Sequence, residues 1–239
     1  GLRDAEAAVA LARFVATEPA LALRGVETFE GVRQRDAGAR AGAGAMIELA
    51  IAAARAIAGE GLFAPGPVLL TAGGSAFLDL CAAKLPADLD GRPVERVIRP
   101  GCYVTHDHGL YARLASRPGM PELEPALEVW GAVLSVPEPG LAIVGVGKRD
   151  VSTDVEPPLP LFLHRPGGGG RPAATAGMEV AALWDQHLAL ATAGAGAAVA
   201  VGDLVGFGIS HPCATFDRWP ALLTVDGAYR VTGAVTTLF

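Results

Sequence analysis

The sequence predicts an α/β segment followed by a mostly antiparallel β domain. Helical and strand patterns alternate over residues 1–92, as they do in parallel sheets and TIM-type barrels. Over residues 93–239 the helical periodicity nearly disappears, and short β-rich segments take its place. The chain also contains 31 Gly and 18 Pro among 239 residues. This composition favours many tight turns between short elements.

In the first segment, Asp4 is expected to cap a helix whose apolar residues recur at helical spacing. Val68–Thr71 is apolar and predicts a buried strand, followed by the tight turn Ala72–Ser75. The other expected elements of this segment are the strand Leu21–Val26, the loop Gly31–Ala45, and the helices Ala45–Ala58 and Ala76–Lys84.

The second segment predicts strands separated by turn residues. Asp226-Gly227 between two apolar segments is typical of a β-hairpin. The predicted strands are Leu127–Val136, Leu141–Val146, Glu179–Leu190, Asp203–Ile209, Leu222–Val225 and Tyr229–Thr237.

The composition excludes several classes of protein. Hydrophobic residues make up 51% of the chain and charged residues 18%, which is not the composition of a disordered chain. The net charge is −6 and there is no basic run, so we expect no nucleic-acid partner. The longest apolar stretches, such as Ala191–Val201, stop well short of the roughly 20 residues that cross a bilayer. We therefore expect no membrane insertion.

The cysteines favour a reducing compartment. Cys81, Cys102 and Cys213 are odd in number and widely spaced, unlike a disulfide framework. We therefore expect a cytoplasmic protein. Amine nucleophiles are also few, since Lys84 and Lys148 are the only lysines in the chain.

The turn at Thr71-Ala-Gly-Gly-Ser75 is a candidate phosphate site. Here a predicted strand ends and a predicted helix begins. Exposed backbone N–H groups and a helix N-terminus attract anions, and the Thr71 and Ser75 hydroxyls add further donors. The alternative is an ordinary turn between a strand and a helix.

His211 and Cys213 are candidate metal ligands. Two residues apart on an extended segment, their side chains would point to the same side. Imidazole and thiolate are ligands that zinc prefers, and two protein ligands leave positions for water or substrate. The alternative is a loop histidine beside a buried cysteine. Asp217 either supports the site or caps a turn.

Three further polar groups have open interpretations. His106 and His108 share a face if their segment is extended, so with Asp107 they bind a metal, line a pocket or merely cross between domains. Asp185-Gln186-His187 forms a bulge or a dimer contact. Glu27 and Glu30 follow a predicted strand at the end where barrel active sites lie, or they are simply solvated.

Taken together, six segments resemble the D-threonine aldolase / D-serine dehydratase family, and within it the D-amino-acid deaminase-like branch. They occur in the family's order and span nearly the whole chain. The segments are Leu23–Gly31, Thr71–Ser75, Ile98–Tyr111, Gly147–Ser152, Asp185–His187 and His211–Trp219.

The resemblance implies a pyridoxal 5'-phosphate enzyme of the alanine-racemase fold. Residues 1–92 would then be the C-terminal part of a β/α barrel with the phosphate-binding turn, and residues 93–239 the β domain with the metal ligands. It places zinc, or another divalent ion such as Mn2+, on His211 and Cys213. It also implies a D-amino acid substrate and a homodimer. The implied cofactor contacts are Thr71, Gly73, Gly74, Ser75 and Tyr103.

Two positions depart from the family pattern. Phe29 stands where relatives often carry tyrosine, so a hydroxyl contact is lost. The Schiff-base lysine of the family lies near the N-terminus, on the first barrel strand, and neither Lys84 nor Lys148 matches it. We therefore expect a missing N-terminal segment and assign no catalytic residue. The alternative is a non-catalytic remnant that binds metal or phosphate.

The expected reaction is dehydration and deamination of D-serine-type 3-hydroxy amino acids. A metal on His211 and Cys213 would make the β-hydroxyl a better leaving group, and the pyridine ring would store electrons. In this family, a cysteine at the second ligand position is a feature of the dehydratases, and this chain resembles them at Cys213. The alternative within the family is retro-aldol cleavage of D-threonine.

Overall fold

The computed structural model describes residues 1–33, 38–115, 122–168, 171–193 and 198–238. The contacts divide the chain into two compact units, one that ends at Gly101 and one that begins at Cys102. This boundary lies later in the chain than residues 92/93. The reason is that the strand Arg92–Ile98 pairs with the strand Val68–Ala72 of the first unit.

The first unit contains a four-stranded sheet of order β1-β2-β4-β3. Strands β1, β2 and β4 are parallel, and the short β3 is antiparallel to β4. The parallel strands therefore place their carboxyl ends at one edge of the sheet. The strands are β1 (Gly25–Thr28), β2 (Val68–Ala72), β3 (Asp88–Leu89) and β4 (Arg92–Ile98).

Three helices cover this sheet. Asp4 caps the first of them as predicted, accepting a hydrogen bond from the Ala7 amide at 2.7 Å. The apolar face of the second helix packs on the strands and completes one core with the buried residues of β2. The helices are α1 (Ala5–Ala16), α2 (Ala39–Gly59) and α3 (Leu78–Lys84).

The second helix is longer than predicted. It begins at Ala39, after Gly38 in a left-handed conformation, so the expected loop Gly31–Ala45 is partly helical. The glycines of its first turns suggested a loop, but Gly44 is buried, and a Cβ there would lie 3.5 Å from the Lys84 side chain. A Cβ would therefore fit there in ordinary contact with α3, and the glycine is tolerated within the helix because the helix packs against its neighbours.

Helix α2 also corrects the expectation about apolar length. It has 21 residues, and an 18-residue window within it has a mean hydropathy of 1.5, enough by length and composition to cross a bilayer. In the structure Ile47, Ile51 and Ile57 of this helix are buried in the core of the first unit. A core helix accounts for the same apolar pattern.

The second unit is built on a seven-stranded antiparallel sheet of order β8-β7-β11-β5-β6-β10-β9. Strands β7 and β9 also contact each other, so the sheet curls. Its strands are β5 (Glu128–Glu138), β6 (Leu141–Val144), β7 (Leu159–His164), β8 (Ala173–Ala174), β9 (Glu179–Leu183), β10 (Leu188–Ala191) and β11 (Leu204–Gly208).

Two short helices and a hairpin complete the second unit. The hairpin is confirmed, because Asp226 accepts hydrogen bonds from Ala228 and Arg230 in the turn between its strands. These elements are α4 (Leu110–Ala115), α5 (Cys213–Phe216), β12 (Ala221–Val225) and β13 (Val231–Thr236).

Two differences from the prediction concern strands of the second unit. The predicted strand Glu179–Leu190 is two strands, β9 and β10, joined by a turn at Asp185-Gln186. Strand β7 was not predicted, because Pro160 lies within it. Proline lacks an N–H donor, and the register of β7 shifts beside it.

Candidate metal centre and glycine turn

A cluster of two cysteines and one histidine lies in the second unit. The ligand atoms of Cys102, His211 and Cys213 all lie within 4.8 Å of one another. The two sulfur atoms are 3.9 Å apart. The predicted pair, His211 and Cys213, is therefore brought together, and the fold adds a third donor that the sequence did not suggest.

The pair is not on an extended segment. Strand β11 ends at Gly208, and Cys213 begins the short helix α5, with Pro212 at its N-cap. The turn at Pro212, rather than the alternation of a strand, brings the imidazole and the thiol together. This part of the prediction was wrong, although the proximity it inferred is observed.

Backbone pairing positions Cys102 near the other two donors. The amides of His108 and Leu110 donate to the carbonyls of Ile209 and Ser210 at 2.9 and 3.3 Å. A Cβ at Gly208 would lie 2.4 Å from the His108 ring, so only glycine allows this approach. The segment that carries Cys102 is thus held beside the end of β11, immediately before His211.

Asp154 orients the histidine. Its Oδ2 lies 2.7 Å from Nδ1 of His211, and its other oxygen accepts a hydrogen bond from the Ser152 hydroxyl. Burial alone would raise the pKa of Asp154, but these two hydrogen bonds hold it below the usual range. A carboxylate on one imidazole nitrogen leaves the other nitrogen, Nε2, for a metal.

Asp217 does not have the supporting role that the spacing allowed. Its carboxylate pairs with Arg218 at 2.8 Å, and the residue is the C-cap of helix α5. The alternative interpretation, a residue that ends a turn, is the observed one.

Hydrogen bonding within the cluster shifts the pKa of two donors. A hydrogen bond with Cys102, and to a smaller extent one with Asp154, raises the pKa of His211 to about 9. The hydrogen bond with Cys102 lowers the pKa of Cys213 to about 7. A thiol with this pKa is substantially ionised near neutrality, and the thiolate is the form that binds metals.

A buried polar group adjoins the cluster. Asp107 accepts hydrogen bonds from the amides of Gly109 and Tyr111 at 2.9 and 2.8 Å through Oδ1. Its Oδ2, Nδ1 of His108 and the Tyr111 hydroxyl are buried and have no hydrogen-bond partner among the described residues. Burial raises the pKa of Asp107.

The expected shared face of His106 and His108 is not observed. His106 has a left-handed φ of 55°, and Nδ1 of its ring contacts the backbone of Asp107 at 2.7 Å. Neither histidine belongs to the three-residue cluster formed by the described side chains. The left-handed turn at His106 replaces the extended backbone on which the prediction depended.

Replacing Tyr111 with phenylalanine tests the isolated hydroxyl. The Tyr111 ring is 1% exposed and packs edge-on against His106. Because the hydroxyl has no partner among the described residues, we expect Tyr111→Phe to change the free energy of unfolding by less than about 1 kcal/mol. Urea denaturation measures this. A loss above about 2 kcal/mol would show that the hydroxyl is hydrogen-bonded in solution.

In the first unit, the glycine turn holds an internal anion. The carboxylate of Glu30 accepts hydrogen bonds from the amides of Gly73 and Gly74 at 3.1 and 2.7 Å. Glu30 is fully buried, so the interpretation of this residue as solvated was wrong. A phosphate does not fit on these two amides while Glu30 holds them, because its charge would lie against a buried carboxylate.

Arg99 crosses the carboxyl ends of the three parallel strands. Its guanidinium donates to the Thr71 hydroxyl at 2.7 Å and to the Thr28 carbonyl at 2.9 Å, and it pairs with Glu27 at 2.8 Å. Gly73 has a φ of 138°, and a Cβ there would lie 2.7 Å from the Arg99 amide nitrogen. Glycine is therefore required at this crowded edge.

The remaining predicted cofactor contacts lie in short helical turns. Ser75 begins a single 3-10 turn, so the predicted helix start there is displaced to Leu78. Tyr103 lies in another such turn, and its side chain is 44% exposed. Thr71, Ser75 and Tyr103 stay predictions as cofactor contacts, and Gly73 and Gly74 do so only if their amides are released from Glu30.

The two lysines have different surroundings. Lys84 pairs with Glu48 at 2.5 Å. Lys148 lines an open hollow of about 420 Å³ together with Arg149, Trp184 and the polar turn Asp185–His187. This turn joins β9 to β10, so the polar residues form a strand connection rather than a bulge within one strand, and the dimer contact stays a prediction.

Sequence reasoning missed three residues of these sites, Cys102, Asp154 and Arg99. Cys102 and Asp154 lie far along the chain from His211, and only the fold brings them to it. The sequence did contain a clue to Cys102, because a cysteine in a polar segment is a candidate ligand rather than a core residue. Arg99 was in a segment already singled out, but its hydrogen bonds depend on tertiary structure.

Residues 126–225 match the model of the putative serine dehydratase domain. No significant match was found among curated protein sequences. Among solved structures, D-threonine aldolase from Filomicrobium marinum is similar, with a TM-score of 0.69 and 21% identity over 93% of this chain and 56% of that chain.

Two other solved structures share the fold. D-threo-3-hydroxyaspartate dehydratase from Delftia sp. HT23 matches with a TM-score of 0.66 and 23% identity over 99% of this chain and 62% of that chain. An alanine racemase-like protein from Idiomarina loihiensis matches with a TM-score of 0.66 and 13% identity, over 99% and 61%.

The chain thus spans about 56–62% of the length of these structures. Their identities are low, so they show a shared fold. The domain match covers all seven strands of the curled sheet and all of the His211–Cys213 segment. The resemblance of this chain to the D-threonine aldolase / D-serine dehydratase family is therefore supported by the match of residues 126–225 to the putative serine dehydratase domain and by the shared fold.

Proposed function

We propose that this chain forms part of a pyridoxal-phosphate- and metal-dependent lyase that dehydrates D-3-hydroxy amino acids of the D-serine type. The observation that carries the proposal is the pair of His211 and Cys213, whose imidazole and thiol lie within 4.8 Å of each other. Its nitrogen and sulfur donors fit a zinc ion. The match of residues 126–225 to a serine dehydratase domain supports the same reaction class.

When bound, the metal would polarise the substrate's β-hydroxyl, and the pyridine ring would act as an electron sink. The protein's own contribution at the metal centre is orientation. Asp154 fixes the imidazole of His211 through Nδ1 at 2.7 Å. The lowered pKa of Cys213, about 7 because of its hydrogen bond with Cys102, provides a thiolate near neutral pH.

The proposed cofactor contacts divide into two groups. Thr71, Ser75 and Tyr103 carry hydroxyls that can contact a phosphate or a pyridine ring. The amides of Gly73 and Gly74 already donate to Glu30, so they do not fit a phosphate in this arrangement. The phosphate donors we propose are therefore hydroxyls rather than this pair of amides.

Retro-aldol cleavage of D-threonine is the second candidate reaction. It is favoured by the fold shared with D-threonine aldolase from Filomicrobium marinum, at a TM-score of 0.69. A metal that polarises the β-hydroxyl suits both reactions. Dehydration is our first choice because the family resemblance associates a cysteine at the second ligand position with dehydratases.

Product analysis separates these functions. The protein, supplied with pyridoxal 5'-phosphate and zinc, is incubated with D-serine or D-threonine, with L-serine as the control substrate. Pyruvate from D-serine, lost on chelation and restored by zinc, is the expected result. Glycine and acetaldehyde from D-threonine alone would favour the aldolase. Zinc binding without either product, and without a cofactor absorption band that borohydride removes, would favour a non-catalytic remnant.

A further inference from the structure

The structure points to Cys102 as a third protein ligand of the metal centre. This proposal rests on the proposed function for the other two ligands, His211 and Cys213, and extends it to the identity of the metal. Sequence spacing did not suggest Cys102, which precedes Cys213 by 111 positions. Three arguments support it: the sulfur separation, the backbone that holds Cys102, and the partner of His211.

The separation of the two sulfurs suits a shared ion. Two thiolates at about 2.3 Å from a tetrahedral zinc are about 3.8 Å apart. The observed distance between Sγ of Cys102 and Sγ of Cys213 is 3.9 Å. A disulfide would require about 2.05 Å. The pair is thus spaced for joint coordination rather than for a covalent bond.

The backbone of Cys102 is fixed. The His106 amide donates to the Cys102 carbonyl at 2.7 Å, and His108 beyond it donates to Ile209 at 2.9 Å. The Cys102 residue is only 8% exposed. Its sulfur therefore does not lie on a freely moving surface loop but in a turn pinned to the end of strand β11.

The histidine presents its second nitrogen to this space. Nδ1 of His211 is held by Asp154 at 2.7 Å, so Nε2 is the nitrogen available for a metal. A carboxylate–histidine pair of this kind accompanies most histidine ligands of zinc. With no pair of donor atoms more than 4.8 Å apart, small side-chain rotations bring all three around one ion.

Two thiolates and one imidazole select among metals. Soft sulfur donors favour zinc, whereas manganese and magnesium prefer oxygen donors. Three protein ligands leave one tetrahedral position open, as in catalytic rather than structural zinc sites. With Cys102 in the set, the chain is expected to prefer Zn2+ over Mn2+.

Cobalt substitution tests the ligand count. Metal-free protein, reduced and without pyridoxal phosphate, is titrated with Co2+, whose near-ultraviolet thiolate absorption grows with the number of coordinated sulfurs. We compare the wild type with Cys102→Ser and Cys213→Ser, and use Cys81→Ser as the matched control. Circular dichroism verifies that each variant is folded.

We expect Cys102→Ser and Cys213→Ser each to lose about half of the thiolate absorption, while Cys81→Ser retains all of it. In competition with a chelator, the Kd for Zn2+ should rise in Cys102→Ser by more than the roughly 10–100-fold typical of removing a supporting residue. Full thiolate absorption in Cys102→Ser would overturn the third ligand and leave the two-ligand site standing. No Co2+ or Zn2+ binding by the reduced wild type would overturn both.

Discussion

Replacing Glu30 with alanine is expected to lower the free energy of unfolding by about 3–5 kcal/mol. The carboxylate is fully buried and accepts hydrogen bonds from the amides of Gly73 and Gly74. Its removal leaves two buried N–H groups without an acceptor, and each costs about 1–3 kcal/mol. Urea denaturation followed by circular dichroism gives the free energy directly.

Glu27→Ala is the matched control for this measurement. Glu27 lies three residues earlier, is exposed, and pairs with Arg99 at the surface. An exposed pair contributes about 0–1 kcal/mol, so this variant should remain close to the wild type. If Glu30→Ala were equally mild, Glu30 would not be the group that satisfies the glycine turn in solution.

The same variant tests the cofactor turn. If a phosphate can replace the carboxylate at Gly73 and Gly74, inorganic phosphate should raise the Tm of Glu30→Ala more than that of the wild type. Equal shifts in the two proteins would mean that phosphate does not use these amides.

His211→Ala is expected to lower the rate of D-serine dehydration by about 10³-fold, under the proposed function. A metal supplies several kcal/mol of stabilisation to a developing charge, and each 1.36 kcal/mol corresponds to a tenfold change in rate. His211 lies within 4.8 Å of both sulfurs and is the only nitrogen donor of the three-residue cluster. The variant should also be isolated with less zinc than the wild type.

His164→Ala provides the histidine control for that experiment. His164 lies in strand β7 and is not a member of the three-residue cluster. Its replacement should leave zinc content and kcat within about twofold of the wild type, as expected for a position away from the reacting groups. An equal loss in both variants would mean that His211 has no special role.

The elements that could be predicted were those with a strong local signal. The cap at Asp4, the buried strand at Val68 and the Asp226-Gly227 hairpin all follow from short-range chemistry and are observed. Strand β7 was missed because its proline weakened the local pattern. Helix α2 was predicted too short because its early glycines favour a loop until packing is considered.

The candidate sites were predictable only in part. His211 and Cys213 are close in sequence, so any turn or strand keeps them near each other. Cys102 and Asp154 approach them through the antiparallel sheet and its loops, which depend on the tertiary fold. Glu30 shows the reverse case. Glycines after a strand favour an anion, and the structure supplies that anion from within the chain itself.

The division of the chain has a practical consequence for measuring these two sites. Cys102, His211 and Cys213 belong to one compact unit, while Glu30 and its glycine partners belong to the other. Cation affinity and anion affinity can therefore be perturbed one at a time. Glu30→Ala can test this. If it leaves the Co2+ spectrum unchanged but shifts the response to phosphate, then metal binding and phosphate binding can be measured separately in one protein.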